Sequence, residues 1–202
     1  MRQIVNLTSS VLFLASLSAV QSKVQEEDNY ENALFGGGCF WCMQKPFDET
    51  EGVVRTTVGY SGGEQKEPTY EMVSSGKTGH LEVVSVVFDP VVVDYETLLK
   101  VFWKNVDPTD SGGQFCDRGR QYRSAIFFSN EKQEFLAKDS LSQVKEYKFP
   151  DIKIGTVVLP RLVFYPAEEY HQDYYKKNPY RYKYYKYHCG RDSRLDEIWI
   201  SK

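Results

Sequence analysis

Hydrophobic and polar residues change their spacing several times along the 202-residue chain, and each change marks an element. Short stretches rich in β-branched and aromatic residues predict strands at Asn32 to Phe35, Val53 to Tyr60, Glu82 to Phe88 and Arg123 to Phe128. Between the last two, Tyr95, Leu98, Leu99, Phe102, Trp103 and Val106 recur at three- and four-residue spacing behind a capping Asp94, the mark of a helix with one apolar face. Asn130 with Gln133 opens another helix, whose apolar residues are Phe135, Leu136, Leu141 and Val144. Cys39 to Thr50 reads as a shorter helix, limited or kinked by Pro46. Strand, helix, strand, strand, helix, strand is the order of a ferredoxin-like α+β unit. From about Ile152 a further strand and Tyr-rich helical segments are expected, with Pro166 placed to begin one. Two polar, Gly-rich loops, Ser61 to His80 and Asp107 to Arg120, are long enough to carry function.

Residues 1–22 stand outside this pattern. Arg2 is their only charge, Val11 to Val20 is an apolar stretch of ten residues, and Val20-Gln21-Ser22 places small residues before Lys23. Ten residues fall short of the ~20 needed to span a bilayer, so the segment reads as a secretory signal peptide ahead of a single domain over 23–202. Export to a periplasm or to the exterior is expected. A membrane anchor, or a cytoplasmic chain with a mis-assigned start, is the alternative.

Composition narrows the function. Hydrophobic residues at 41% and charged residues at 26% are globular values. Lys and Arg total 25 against 28 for Asp and Glu, and a net charge of −3 leaves no footprint for nucleic acid. Tyr and Lys interleave between Tyr165 and Tyr187, which could stack bases, but in an acidic chain the pattern reads as amphipathic helices packing their rings.

Four Cys are too few for a disulfide scaffold, so their chemistry matters more than their number. Cys39 follows three glycines at a strand-to-helix junction. A thiol there faces unpaired N–H groups and the positive end of the helix dipole, both of which favour thiolate. A buried structural Cys behind a glycine turn fits the same residues. Cys39-Phe40-Trp41-Cys42 is also a C-x-x-C, which suggests thiol–disulfide exchange. Cys116 and Cys189 are isolated and His80, His171 and His188 are scattered, so no metal site is expected.

Longer motifs favour one chemistry. Gly38-Cys39-Phe40-Trp41, Val58-Gly59-Tyr60-Ser61-Gly62-Gly63, Pro68-Thr69-Tyr70 and Thr78-Gly79-His80-Leu81-Glu82 are followed by Asp107-Pro108-Thr109. Then come Gly113-Gln114-Phe115-Cys116-Asp117-Arg118-Gly119, Gln121-Tyr122-Arg123-Ser124-Ala125-Ile126, His171-Gln172-Asp173-Tyr174 and Lys177-Asn178-Pro179. In this order, from about Ala33 to the C-terminus, the series resembles the A-type peptide methionine sulfoxide reductases. The resemblance implies reduction of the S epimer of methionine sulfoxide, free or in oxidised proteins, with no bound cofactor and with thioredoxin or another dithiol as external reductant. A monomer is expected. Carried over position by position, Cys39 is the nucleophile, and Phe40 and Trp41 hold the substrate's S-methyl group. Glu82 binds and protonates the sulfoxide oxygen, Tyr70 and Tyr122 donate to it, and Asp117 lines the pocket.

This assignment has a physical basis. A sulfoxide sulfur becomes electrophilic when its oxygen is hydrogen-bonded or protonated, so acidic donors must surround the oxygen with a thiolate opposite. Glu82 opens a strand on which Val84, Val86 and Phe88 share its face, and burial of that face would raise its pKa and keep its proton. After oxygen transfer, a second thiol must condense with the Cys39 sulfenic acid. In much of the family the residue after Phe-Trp is Gly and that thiol lies in a Gly-rich C-terminal tail. Here the position is Cys42, and the tail Tyr187-His188-Cys189-Gly190-Arg191-Asp192 is poor in glycine. Cys189 is placed first as the resolving residue, Cys42 second and Cys116 third.

Overall fold

The predicted strands assemble into one sheet in the computed structural model, which describes residues 29–200; the segment read as a signal peptide lies outside them. Chain order runs β1 (Glu31–Gly37), α1 (Phe40–Asp48), β2 (Val53–Ser61), α2 (Tyr70–Ser74), β3 (Leu81–Phe88) and α3 (Tyr95–Lys104). It continues with β4 (Gly113–Gln114), β5 (Asp117–Arg118), β6 (Ser124–Phe128), α4 (Glu131–Lys148), β7 (Val157–Pro160) and β8 (Tyr165–Pro166). Three helices close the chain: α5 (Tyr174–Lys177), α6 (Pro179–His188) and α7 (Arg191–Trp199).

The sheet order is β7-β6-β1-β3-β2-β8. Its middle four strands are antiparallel throughout, in the ferredoxin-like order that the element sequence predicts. β7 adds a parallel edge beside β6, and β8 an antiparallel edge beside β2. One face carries the main core, where Phe35 packs at 5.0 Å on Phe47 and 5.4 Å on Phe102, among Val84, Val86, Leu98 and Leu99. The other face buries Leu34, Leu81, Val83, Ala125 and Phe127 against Val157 and Phe164. β3 is covered on both faces, which is why its sequence is almost continuously apolar. Each large side chain buried here contributes about 1.5–3 kcal/mol relative to exposure.

Some expectations needed correction. Pro166 does not begin a helix; it sits in the edge strand β8 opposite Gly59, where a residue without an N–H is tolerated. The proline that does begin a helix is Pro179. Phe135 is 70% exposed on the outer side of α4, and only Leu136, Leu141 and Val144 of that set reach the core. The loop after β2 contains α2, capped by the Thr69 side chain accepting from the Met72 N–H. Among the described residues no helix is long and apolar enough to cross a membrane.

The C-terminal helices fold back over the start of α1. Arg194 Nε pairs with Asp107 at 2.8 Å, and Trp199 Nε1 donates to the Val106 carbonyl at 3.1 Å. A disulfide joins Cys116, in the β4–β5 turn, to Cys189 at the end of α6.

Candidate active site

β1 delivers three glycines to the start of α1. Gly38 has φ +80°, a conformation side chains rarely adopt, and a Cβ there would lie 2.6 Å from the Gln114 Cβ. Glycine therefore lets the chain turn into α1 directly against the β4–β5 hairpin. That hairpin is held by Gln114, whose side chain accepts from the Asp107 N–H and donates to the Asp107 carbonyl, both at 2.8 Å.

Cys39 is the N-cap residue of α1 and only 6% exposed. Its carbonyl accepts from the N–H groups of Cys42 and Met43, while the first helical N–H, that of Phe40, donates to Glu82 Oε2 at 3.1 Å. The helix N-terminus does not serve the sulfur alone, because the Phe40 N–H is taken by the Glu82 carboxyl group. Burial first, then Cys42 and the nearby carboxyl groups, push the Cys39 thiol well above the ordinary range. Its S–H donates to Cys42, and that bond, with help from the Arg191 guanidinium, holds Cys42 below the ordinary range despite burial.

Glu82 lies opposite Tyr60 in the β2–β3 register and is 2% exposed. Burial raises its pKa to about 8, outweighing the lowering effect of the Phe40 N–H, so the carboxyl group keeps its proton at neutral pH. Tyr70, on α2, is pushed up to about 12 by burial and the nearby Glu82, and Tyr122 is raised for the same reasons. Both stay phenols, able to donate.

These groups meet around one pocket of about 80 Å³, lined by Cys39, Phe40, Trp41, Tyr70, Glu82, Asp117, Tyr122 and Tyr185. All seven catalytic and substrate-binding candidates read from the sequence are among them. Tyr185 is the eighth, missed because the Tyr-rich segment reads as packing. Its hydroxyl donates to both carboxylate oxygens of Asp117 at 2.6 Å.

The supporting residues were also missed. Glu168 accepts from the Tyr70 N–H and from the Tyr60 hydroxyl, each at 2.8 Å. Trp41 lies flat on Tyr174, ring centroids 3.7 Å apart, and its Nε1–H donates to His171 Nδ1 at 3.0 Å. Burial lowers the His171 pKa, so the ring is neutral and fixes the indole. Gln172 brackets Val58 like an extra strand residue, accepting from its N–H and donating to its carbonyl at 2.9 Å. Periodicity carries no signal for any of these contacts; only the His171 to Tyr174 motif marked the place.

Cys116 and Cys189 are bonded to each other, while Cys39 and Cys42 are free. Cys189 Sγ lies 4.0 Å from Asp117 Oδ2, so the disulfide borders the pocket. Among the described residues, Cys116, Asp117 and Cys189 are also the one close grouping of metal-type donors, but both sulfurs are engaged in the disulfide.

Comparison with known proteins places this geometry. A family model described as peptide methionine sulfoxide reductase matches residues 31–202. The peptide methionine sulfoxide reductase MsrA of Bacillus licheniformis is 52% identical over 172 residues, covering 85% of this chain and 95% of the relative. Mxr1 of Saccharomyces cerevisiae, solved in reduced form, superposes with a TM-score of 0.71 at 32% identity, covering 76% of this chain and 88% of Mxr1; Mxr1 has also been solved in complex with Trx2. Methionine sulfoxide reductase A of Corynebacterium diphtheriae gives a TM-score of 0.68 at 38% identity, covering 75% of this chain and 76% of that one. With a family match running from the first strand to the last residue, and half of the aligned residues shared with a relative covered almost end to end, the chain belongs to the peptide methionine sulfoxide reductase family.

Proposed function

We propose that Cys39 carries the family's thiol-dependent reduction of methionine S-sulfoxide, free or within oxidised proteins, by taking the sulfoxide oxygen onto its own sulfur. One observation carries this reading: a buried thiol faces a protonated carboxyl group and two phenols around a pocket sized for a small group. Phe40 and Trp41 supply the apolar wall for the S-methyl group, and Glu82, Tyr70 and Tyr122 supply the donors for the oxygen. Asp117, held by Tyr185, lines the remaining side.

The cycle balances without a bound cofactor. Cys39 passes its proton to Cys42 and attacks the sulfoxide sulfur as Glu82 protonates the oxygen. Methionine leaves, Cys39 becomes a sulfenic acid, and Glu82 is left as a carboxylate that regains its proton from water. Cys42 then attacks the sulfenic sulfur; the S–O bond breaks, an S–S bond forms, and the Cys42 proton leaves with the hydroxyl as water. An external dithiol reduces the Cys39–Cys42 bond and is itself oxidised to a disulfide. Cys42 takes the resolving role because its sulfur already accepts from the Cys39 thiol, whereas Cys189 is committed to Cys116. Thioredoxin is the proposed reductant, supported by the Mxr1 complex with Trx2 and by the family's dithiol chemistry.

The test is direct. The purified chain, given a chemical dithiol and the separated epimers of a methionine sulfoxide peptide, is expected to reduce the S epimer alone. Failure to reduce either epimer, by folded protein with Cys39 confirmed as a free thiol, overturns the reading.

A further inference from the structure

Tyr70 stands on α2, a helix of five residues inside a long loop. A single turn of helix does not hold its own shape in water, so the placement of the Tyr70 phenol depends on what grips α2 from outside. Side chains supply that grip. Thr69 caps the Met72 N–H, and Gln121 Nε2 donates to the Ser74 carbonyl at 2.9 Å at the far end. Glu168 Oε1 accepts from the Tyr70 N–H at 2.8 Å, and this bond is made to the donor residue itself.

Glu168 is built to fix a position. Its backbone is tied down on both sides: the Ala167 N–H donates to the Val58 carbonyl, and the Glu168 carbonyl accepts from the His171 N–H, each at 2.9 Å. The second carboxylate oxygen, Oε2, accepts from the Tyr60 hydroxyl at 2.8 Å. Tyr60 is wholly buried on β2, opposite Glu82 in the sheet register, with its ring 6.0 Å from that of Phe40. One half-buried carboxylate therefore joins the strand pair that carries Glu82 to the helix that carries Tyr70. Burial pushes its pKa up, but the Tyr70 N–H and the Tyr60 hydroxyl outweigh that and hold it below the ordinary range. Both bonds are thus charge-assisted at neutral pH. On the same segment, His171 lies against the Tyr70 ring, centroids 4.4 Å apart.

We propose that Glu168 is a positioning residue for sulfoxide reduction: standing outside the pocket, it sets the Tyr70 phenol against the Glu82 carboxyl group so that both donors meet one oxygen atom. This rests on the reading that the pocket reduces methionine sulfoxide. Glu168 then acts through the Tyr70 hydroxyl, and removing either group removes the same contribution.

Single-turnover methionine release from a saturating S-sulfoxide peptide reads this coupling. Tyr70→Phe and Glu168→Ala should each slow release by roughly tenfold or more, and the double variant should be slower than either by less than about twofold. Glu168→Gln should stay within a few-fold of wild type, because its amide oxygen can accept from the Tyr70 N–H while its amide nitrogen donates to the Tyr60 oxygen. An Ala variant as fast as wild type, a double variant in which the two losses multiply, or a Gln variant no better than Ala overturns the proposal. If the Ala variant does not fold, Glu168→Asp, one methylene too short to reach both partners, takes its place under the same criteria. A wild type that reduces neither epimer would sink the functional reading instead. Amide exchange then reads the grip on its own: Tyr70 N–H should exchange slowly in wild type and fast in Glu168→Ala, and equal exchange in the two overturns it.

Discussion

Two cysteine pairs border the same pocket and live in opposite environments. Cys39 and Cys42 are one helical turn apart, buried at 6% and 2% exposure, and free. Cys116 and Cys189 are 73 residues apart, with Cys116 exposed and Cys189 half-buried, and they are joined. The buried pair takes its reactivity from neighbours: burial, Cys42 and the nearby carboxyl groups push Cys39 up, while Cys39 and the Arg191 guanidinium hold Cys42 down. The outer pair takes its reactivity from access, since an external thiol can reach it. Position in the sequence says little about either condition, although one pair looks like a motif and the other like two strays.

The largest effect is expected from Cys42→Ser. The variant is expected to release one methionine per enzyme and then stop under thioredoxin-supported assay, with a trappable sulfenic acid on Cys39. Continued turnover would move resolution to the outer pair. Next comes Glu82→Gln, which keeps the shape but removes the proton, and should lower turnover by roughly 10²–10⁴-fold. Because the Glu82 pKa is raised to about 8, wild-type turnover should fall as pH rises through that value. The stability sign follows as well. Between the unfolded value near 4.3 and about 8, the native state holds a proton that the unfolded chain has lost, so wild-type stability declines with rising pH across that window. Glu82→Gln should therefore gain in melting temperature over wild type at pH 8 and lose that advantage towards pH 5.

The smallest effect on chemistry is expected for the double variant Cys116→Ser, Cys189→Ser. Methionine release in a single turnover should be unchanged, while stability falls by about 4 kcal/mol from the lost loop constraint. Denaturant melts and a rapid-quench assay read the two quantities separately. A collapse of thioredoxin-supported turnover would make the outer pair the route for recycling.

The sheet and the pocket were legible in the sequence to different depths. Strand order followed from element order, and the burial of Glu82 from the apolar face it shares with Val84 and Val86. The seven pocket residues came from motifs, each carried on a loop or element end that the sheet brings together. Tyr185 and Glu168 were not legible, because their partners Asp117 and Tyr70 lie 68 and 98 residues away, and such pairings leave no local pattern. Competition for the α1 N-terminus left no mark in the sequence either. The helix N-terminus was foreseen, but the carboxyl group that takes its Phe40 N–H comes from another strand. Pro166 was misread because a proline that starts a helix and one that edges a sheet share the same fixed φ.

Asn105, Val106 and Asp107 each hold one side chain of α7: Arg191, Trp199 and Arg194 in turn. This mooring is independent of the sulfur bridge. None of these bonds involves a sulfur of the bridge, so its reduction removes no mooring of α7, and Cys189, two residues before the helix, stays on a short tether to it. The effective concentration of one thiol at the other stays high, so reclosure requires little search through conformational space. The bridge therefore works as a latch on a door that is already hung: it can be opened and shut repeatedly while the hinge holds.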